Sequence, residues 1–263
     1  MKKLGFFRNY WLGTVAILLF LSWIIYTPPG LSGKVDAVGY AVCHQIESHS
    51  FLLGDHAMPM CARCTGMYLG ALLGIIYQMP WKKKGGLPSI FIWMVMGLLV
   101  ILFAVDGVNS YLHFFPDAPH FYEPTNVVRL VTGTGLGLGI AMILMPIFQQ
   151  SIWQDWSEHP AIENWRSLFG LFVFAGVLIL AVIWNQYFLL YPLAILSAVS
   201  VLILLTLCYS ILWAHFLKRE NLARTWRDTY PFLTLGFITT IFQVFIFDIV
   251  RYMLTGTWGG FVI

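Results

Sequence analysis

The chain has 263 residues, of which 59% are hydrophobic and only 10% are charged, and its mean hydropathy is +0.77. A soluble domain carries about 25% charged residues, so this composition excludes a soluble globular protein. Inside a bilayer every backbone N–H and C=O must be paired, and the alternating pattern of a membrane β-barrel is missing. The sequence therefore predicts an all-α, polytopic transmembrane helical bundle whose partner is the lipid bilayer, with no nucleic-acid partner.

Seven apolar runs are long enough to cross a hydrocarbon core of about 30 Å as helices. They cover roughly residues 10–27, 61–80, 88–105, 127–148, 167–185, 188–213 and 230–254. The Pro-Pro-Gly sequence at 28–30 marks the end of the first run. Only Asn-Gln-Tyr at 185–187 separates the fifth run from the sixth, so one merged span is the alternative there. We treat residues 1–263 as a single integral membrane domain.

The first run follows basic residues, as the apolar part of a signal peptide does. It ends in Tyr-Thr-Pro-Pro-Gly at 26–30 without a small-residue cleavage site, and it is long for a signal peptide. We therefore expect a retained first helix.

The distribution of Lys and Arg predicts the orientation, because basic residues near span ends are retained on the cytoplasmic side. With the N-terminus inside, eleven of the fifteen basic residues fall in cytoplasmic segments. These eleven are Lys2, Lys3, Arg8, Lys82, Lys83, Lys84, Arg166, Lys218, Arg219, Arg224 and Arg227. The outer side keeps only Lys34, Arg63, Arg129 and Arg251. We expect a multi-pass protein of the cell (inner) membrane with its C-terminus outside and residues 43–66 extracytoplasmic.

Residues 43–66, CHQIESHSFLLGDHAMPMCARCTG, hold three of the four cysteines and three of the seven histidines. Cys61 and Cys64 are three residues apart at the start of a predicted helix, so their sulfurs share one face. The helix N-terminus and the neighbouring Arg63 favour the thiolate forms. Cys43 ends an apolar segment, 35–44, that we expect to be a short helix on or in the outer membrane face.

Three interpretations of these cysteines compete. In the first, Cys43, Cys61 and Cys64 bind a metal together with one histidine, and zinc is the metal that this donor set favours. His44 is the leading histidine, with His49 and His56 as alternates.

In the second interpretation, Cys61 and Cys64 form a redox disulfide that Cys43 attacks or resolves. In the third, Cys43 forms a structural disulfide with Cys61 or Cys64, and this bond only holds the loop together. Membrane enzymes that make disulfides with a quinone usually carry a second cysteine pair in another outer loop. The outer segment 106–126 has no cysteine, and Cys208 lies near the inner end of the sixth span. The lack of a second outer cysteine pair favours the metal site or the structural disulfide over the redox interpretation.

Other polar residues fall at the outer span ends. Asp106 and Asn109 are typical of a turn at a helix end, and Asp248 and Arg251, three apart, are typical of an interfacial ion pair. Arg129 is more suggestive, because an arginine inside a membrane helix needs an anionic partner or a water-filled cavity.

Small residues at spacing four predict which helices pack closely. Gly66, Gly70 and Gly74 share a face of the second span, and Gly133 and Gly137 share a face of the fourth. Such stripes let membrane helices approach each other closely. We expect the second and fourth spans to pack together and to bring Arg129 near the Cys61–Cys64 turn.

The elements Cys-His, Cys-Ala-Arg-Cys-Thr-Gly at 61–66, Asp-Gly-x-Asn at 106–109 and PTNVVRLVTG at 124–133 resemble a family of uncharacterised membrane proteins, domain of unknown function 2085. The resemblance covers about residues 40–145 and leaves the additional helices at 167–254 outside it. An arginine commonly precedes Ser-Phe in this pattern, and His49 stands there instead. The resemblance implies no established activity. It strengthens one set of residues, namely Cys43, His44, Cys61, Arg63, Cys64, Asp106, Asn126 and Arg129.

Our leading hypothesis is a membrane protein with an outward-facing cysteine–histidine metal site on the second helix. Two cysteines and one histidine would leave a coordination position for water, and a fourth protein ligand would close the shell. In an open site, Asp106, Arg129 or Arg63 could assist chemistry on a lipid or small molecule at the outer leaflet. The alternatives are a membrane thiol–disulfide oxidoreductase and a non-enzymatic partner or transport subunit. These alternatives include both enzymes and non-enzymatic proteins.

Overall fold

The computed structural model describes residues 6–80, 83–115, 119, 121–184 and 186–261, with only the backbone for 6–10. In this part of the chain there are eight α-helices and two small two-stranded sheets. The helices are α1 Phe6–Tyr26, α2 Gly30–Val42, α3 Ala62–Gln78, α4 Ile90–Leu112, α5 Asn126–Ile152, α6 Trp165–Ile183, α7 Tyr187–Phe216 and α8 Trp226–Thr255. The strands are β1 Leu52–Leu53, β2 His56–Ala57, β3 Lys84–Gly86 and β4 Ser157–Pro160. Lys2, Lys3, Lys82 and Asn185, which the sequence analysis used, lie outside the described residues.

The predicted all-α membrane fold is confirmed, and each predicted span has a helix in the structure. Five helices, α4 to α8, are long and apolar enough to cross a membrane. Helices α1 and α2 form one further candidate as a broken or re-entrant span, bent by 103°. Helix α3 has 17 residues, which is at the short end of what a bilayer core requires. The count of seven spans and their orientation stay predictions.

The break between α1 and α2 follows from the Pro-Pro-Gly sequence. Two consecutive prolines remove backbone donors and cannot continue a helix, and Gly30 has a φ of +81°, which glycine adopts without strain. Helix α2 therefore starts in a new direction and ends at Val42, as the predicted short helix before Cys43. The fifth and sixth predicted spans are also separate, since α6 ends at Ile183 and α7 begins at Tyr187.

Helices α3 and α5 pack backbone to backbone, as their glycines predict. A Cβ atom on Gly133 would overlap the carbonyl oxygen of Arg63, and one on Gly137 would overlap that of Met67. A Cβ atom on Gly74 would lie 2.6 Å from the Cβ of Ala141. Only glycine permits this approach, and it places the first turn of α3 beside the first turns of α5.

The two ends of the bundle have different polar contacts. We call the end that carries Cys43, Cys61 and Cys64 the cysteine end. At the opposite end, Lys83 Nζ binds Asp155 Oδ1 at 2.7 Å, and strand β3 pairs with β4 in parallel. These contacts join the α3–α4 connection to the α5–α6 connection.

Candidate functional site

The structure brings the three cysteines of residues 43–66 together. The Sγ atoms of Cys43, Cys61 and Cys64 all lie within 4.8 Å of one another. Cys43 follows the last residue of α2, Cys61 is the N-cap of α3, and Cys64 lies in the first turn of that helix. Among the described residues, no other group of histidine, cysteine and acidic ligand atoms is this compact. All three are free thiols, as is Cys208.

Local contacts bring Cys43 to the start of α3. Helix α2 packs against the segment 58–60, just before Cys61, so closely that a Cβ atom on Gly39 would overlap the carbonyl oxygen of Pro59. Gln45, with a φ of +53°, donates from Nε2 to the carbonyl oxygens of Asp36 at 3.0 Å and Pro59 at 2.9 Å. The side chain of Gln45 thus ties the two segments that carry the cysteines.

The sulfur of Cys43 lies in a donor-rich environment. It accepts the backbone N–H of Cys61 at 3.3 Å and that of Gln45 at 3.5 Å. Hydrogen bonds from the thiols of Cys61 and Cys64 hold the pKa of Cys43 well below its usual range, and the two N–H groups act in the same direction, against burial. Cys43 is therefore set up as a thiolate, the form that binds metals and attacks disulfides.

The histidines of the loop take different positions. His44 is next to Cys43, but its Nδ1 accepts the backbone N–H of Ile46 at 3.0 Å. A neutral imidazole with that bond carries its proton on Nε2, so neither nitrogen offers a free lone pair. The ring of His49 lies 5.6 Å from that of His44, and His56 is exposed in β2. None of the three joins the compact thiol group, and their role as metal ligands stays a prediction.

Burial and positive charge lower the pKa of both His44 and His49. Burial lowers the pKa of His44, and three arginines, Arg63, Arg129 and Arg251, lower it further against the opposing effect of Cys43. Burial and the charge of Arg129 lower the pKa of His49 to about 4. The loop is thus surrounded by arginines contributed by three different helices.

Asp106 is the centre of a buried network at the cysteine end. Its carboxylate forms an ion pair with Arg63, and its side chain is only 1% exposed. It also accepts the hydroxyl groups of Tyr122 at 2.8 Å and Thr132 at 3.2 Å. The interpretation of Asp106 and Asn109 as a turn is wrong, because α4 continues through Leu112 and both residues are buried. Sequence reasoning placed the helix end too early, at 105.

Arg129 lies in the first turn of α5 and is 5% exposed. Its Nη1 donates to Asn126 Oδ1 at 2.9 Å, and its Nε has no hydrogen-bond partner in the part of the chain that the structure describes. Asn126 in turn donates from Nδ2 to the carbonyl oxygens of Ser48 at 3.3 Å and Ser50 at 3.2 Å. The predicted closeness of Arg129 to the α3 turn is confirmed, because Gly66 packs against the carbonyl oxygen of Leu130.

Arg251 and Asp248 do not form the ion pair that their spacing indicates. Asp248 accepts the indole N–H of Trp23 at 2.8 Å, and Arg251 donates to the carbonyl oxygens of Tyr40 at 2.6 Å, of Cys43, and of His44 at 3.2 Å. The ion-pair interpretation is wrong, because Arg251 binds backbone carbonyl oxygens and Asp248 binds the indole of Trp23. Arg251 is the site residue that sequence reasoning missed.

This fold and site define a polytopic helical membrane protein with a thiol cluster at one end of its bundle. Residues 43–143 match the family described as "Predicted membrane protein (DUF2085)", and the chain belongs to this family. It is 31% identical over 118 residues to an uncharacterised protein of Methanocaldococcus jannaschii, which is 45% of this chain and 70% of that protein. It is also 31% identical over 102 residues to an uncharacterised protein of Methanothermobacter thermautotrophicus, which is 39% of this chain and 83% of that protein. No solved structure matches the chain.

The matched region contains all three clustered cysteines, together with Asp106 and Arg129. It ends before α6, so helix α8 and Arg251 lie outside it. The family relationship therefore covers the three clustered cysteines, while part of the structure that holds Cys43 lies in the remaining helices.

Proposed function

We propose that the thiol cluster is a metal centre that binds zinc on the extracytoplasmic side of the membrane. The observation that carries this proposal is the convergence of three Sγ atoms within 4.8 Å from two separate segments of the chain. Zn–S bonds of about 2.3 Å in a tetrahedral site set the sulfurs about 3.8 Å apart, so a small inward movement is sufficient. The donor set also fits, because soft thiolates are ligands of zinc and the N–H groups on Cys43 favour its thiolate.

The fourth coordination position decides what such a centre does. If His44 gave up its hydrogen bond to Ile46 and bound the metal, the shell would be closed and the site structural. The present tautomer of His44 favours the other arrangement, in which the fourth position is open. Three thiolates leave room there for a water molecule or for an atom of a small molecule or lipid headgroup. We infer that the metal centre has an open coordination position and acts on such a ligand at the outer leaflet. The Arg63–Asp106 ion pair would line the space beside this position.

Metal analysis of the purified full-length protein tests this proposal. We expect about one zinc per chain, a lower melting temperature after chelation, and little response to reductant, because metal binding contributes to folding stability. Cys43→Ser, Cys61→Ser and Cys64→Ser should each lose the metal. Cys208→Ser is the matched control and should retain it.

The same measurements identify the competing function. A membrane thiol–disulfide oxidoreductase would contain no metal, would have few free thiols, and would respond to reductant and not to chelator. Metal-free protein with a Cys61–Cys64 bridge would overturn the zinc proposal and support that activity. Metal-free protein with three free thiols would overturn both.

A further inference from the structure

Arg129 carries a buried charge that forms no ion pair with a carboxylate of the described residues. Among the described residues its only hydrogen-bond partner is the neutral amide of Asn126, and its buried Nε has none. The nearby carboxylate of Asp106 pairs with Arg63 instead, and no carboxylate among the described residues lies within 4.0 Å of Arg129. A buried guanidinium in a membrane helix is costly unless an anion or water reaches it.

The hydrogen bonds of Arg129 leave one defined edge of the guanidinium free. Asn126 occupies Nη1, so the edge formed by Nε and Nη2 makes no hydrogen bond within the described chain. That edge has the forked geometry that binds two oxygen atoms of a phosphate or carboxylate at once.

The same place is the N-terminus of a long helix. Helix α5 has 27 residues, its N-cap Thr125 accepts the backbone N–H of Val128, and the N–H groups of Asn126 and Val127 have no acceptor among the described residues. Because Arg129 binds Asn126, its guanidinium points back toward these free N–H groups. Helix N-termini bind anions through such groups and the helix dipole.

The start of α5 lies at the cysteine end. Asn126 holds the carbonyl oxygens of Ser48 and Ser50, which places His49 beside the start of α5. The ring of His49 is tilted against that of Phe114, with ring centroids 5.6 Å apart. The carboxylate of Asp106 is already engaged by Arg63, Tyr122 and Thr132, and it forms no ion pair with Arg129.

We propose that Arg129 and the N-terminus of α5 form an oxyanion site that binds a phosphate group. The source is either inorganic phosphate or a phospholipid headgroup, since the end of a membrane-spanning helix lies at headgroup depth. A phosphate has enough acceptor oxygens for the free guanidinium edge and for both N–H groups. The site does not depend on the metal centre.

Thermal unfolding of the purified full-length protein in a phosphate-free detergent tests the site in two arms. One arm adds inorganic phosphate, and the other adds soluble short-chain phosphatidylglycerol, each against sodium chloride of equal ionic strength. A ligand of the native state raises the melting temperature saturably. We expect saturable stabilisation of the wild type in at least one arm. Half-saturation at a much lower concentration of the lipid would identify the headgroup as the source.

The variant Arg129→Gln should lose this stabilisation. Arg166→Gln removes the same charge from an exposed position on α6 and should keep it. Arg129→Lys keeps the charge without the fork, so it should bind phosphate about tenfold more weakly. If Arg129→Gln does not fold, Arg129→Lys is the variant that tests the proposal. Equal stabilisation of the wild type and either Arg129 variant, or no saturable effect in both arms, would overturn the proposal.

The metal content of Arg129→Gln separates this site from the zinc centre. We expect the variant to keep the metal found in the wild type. Loss of metal from Arg129→Gln, with no phosphate effect on the wild type, would make Arg129 the charge partner of the thiolates and overturn the oxyanion site. Absence of metal in every protein, with phosphate stabilisation intact, would overturn the zinc proposal alone.

Discussion

Arg251 Nη2 donates a hydrogen bond to the carbonyl oxygen of His44 at 3.2 Å, although the two residues are 207 positions apart in the chain. The same guanidinium lies 4.0 Å from the ring centroid of Tyr40 and 4.6 Å from that of Phe261. The backbone N–H of Phe261 also donates to the carbonyl oxygen of His44. The last helix and the segment after it therefore hold the backbone on which the first cysteine is carried.

The first prediction concerns this arginine. Arg251→Leu should leave the carbonyl oxygens of the buried residues Tyr40 and Cys43 without this donor, remove one of the two donors to that of His44, and cost about 3 kcal/mol of stability. It should also weaken metal binding, because Cys43 loses its backbone support. Arg251→Lys should recover part of both properties. Melting curves and metal content of each variant give the readout, with the exposed Arg166→Leu as control. A wild-type melting temperature for Arg251→Leu would contradict the role of α8.

The second prediction concerns the α3–α5 contact. Gly133→Ala should cost about 1–3 kcal/mol, because the added methyl group overlaps the carbonyl oxygen of Arg63 and the helices must separate. Gly97→Ala is the matched control, since a Cβ on this α4 glycine meets nothing within 4 Å. Thermal unfolding of both variants in the same detergent measures the difference. Equal melting temperatures would show that the two helices do not pack in this register.

The third prediction concerns the buried ion pair. Asp106→Asn should leave Arg63 without its anionic partner and cost about 3–5 kcal/mol, the usual result of breaking a buried pair. Asp155→Asn removes the partner of Lys83 at the opposite end, where Asp155 is exposed and Lys83 is partly exposed, and should have little effect. Thermal unfolding of the two variants and the wild type measures the loss of stability in each. If both variants were equally stable, the Asp106 network would not be important for the fold.

The fourth prediction concerns orientation. Asp55 is exposed at the cysteine end, and Glu220 is exposed in the α7–α8 connection at the opposite end. In intact cells a membrane-impermeant thiol reagent should label Asp55→Cys above the wild-type level and spare Glu220→Cys, because the basic residues place the latter inside. Cell lysis should make both positions reactive. The reverse pattern in intact cells would invert the proposed topology.

Much of the helical framework could be predicted from the sequence, because lipid as a solvent makes long apolar runs adopt helices. The Pro-Pro-Gly break and the glycine stripes were also informative, since each has a local steric cause. The ends of the helices were harder to predict from the sequence. Asp106 and Asn109 read as a turn because their partners, Arg63 and the backbone of Tyr122, come from other segments of the chain.

The candidate site was only partly predictable, for the same reason. The spacing of Cys61 and Cys64 fixes their common face, whereas the approach of Cys43 depends on the tilt of α2 and on Gln45. The acceptors of Arg251 are backbone carbonyls, which leave no pattern in the sequence. Likewise, the tautomer of His44 depends on one backbone N–H, that of Ile46, so no residue pattern indicates it.

The hydrogen bonds by which Arg251 holds the backbone around Cys43 also have a consequence for biosynthesis. Arg251 follows Cys43 by 208 residues, so at translation rates of 5–20 residues per second about 10–40 s pass before the ribosome has made it. During that interval the first three cysteines are already synthesised, but the backbone of Cys43 lacks the donor that fixes it. The nascent chain therefore passes through a stage with mobile, reactive thiols, and the order of membrane insertion sets when the site can mature.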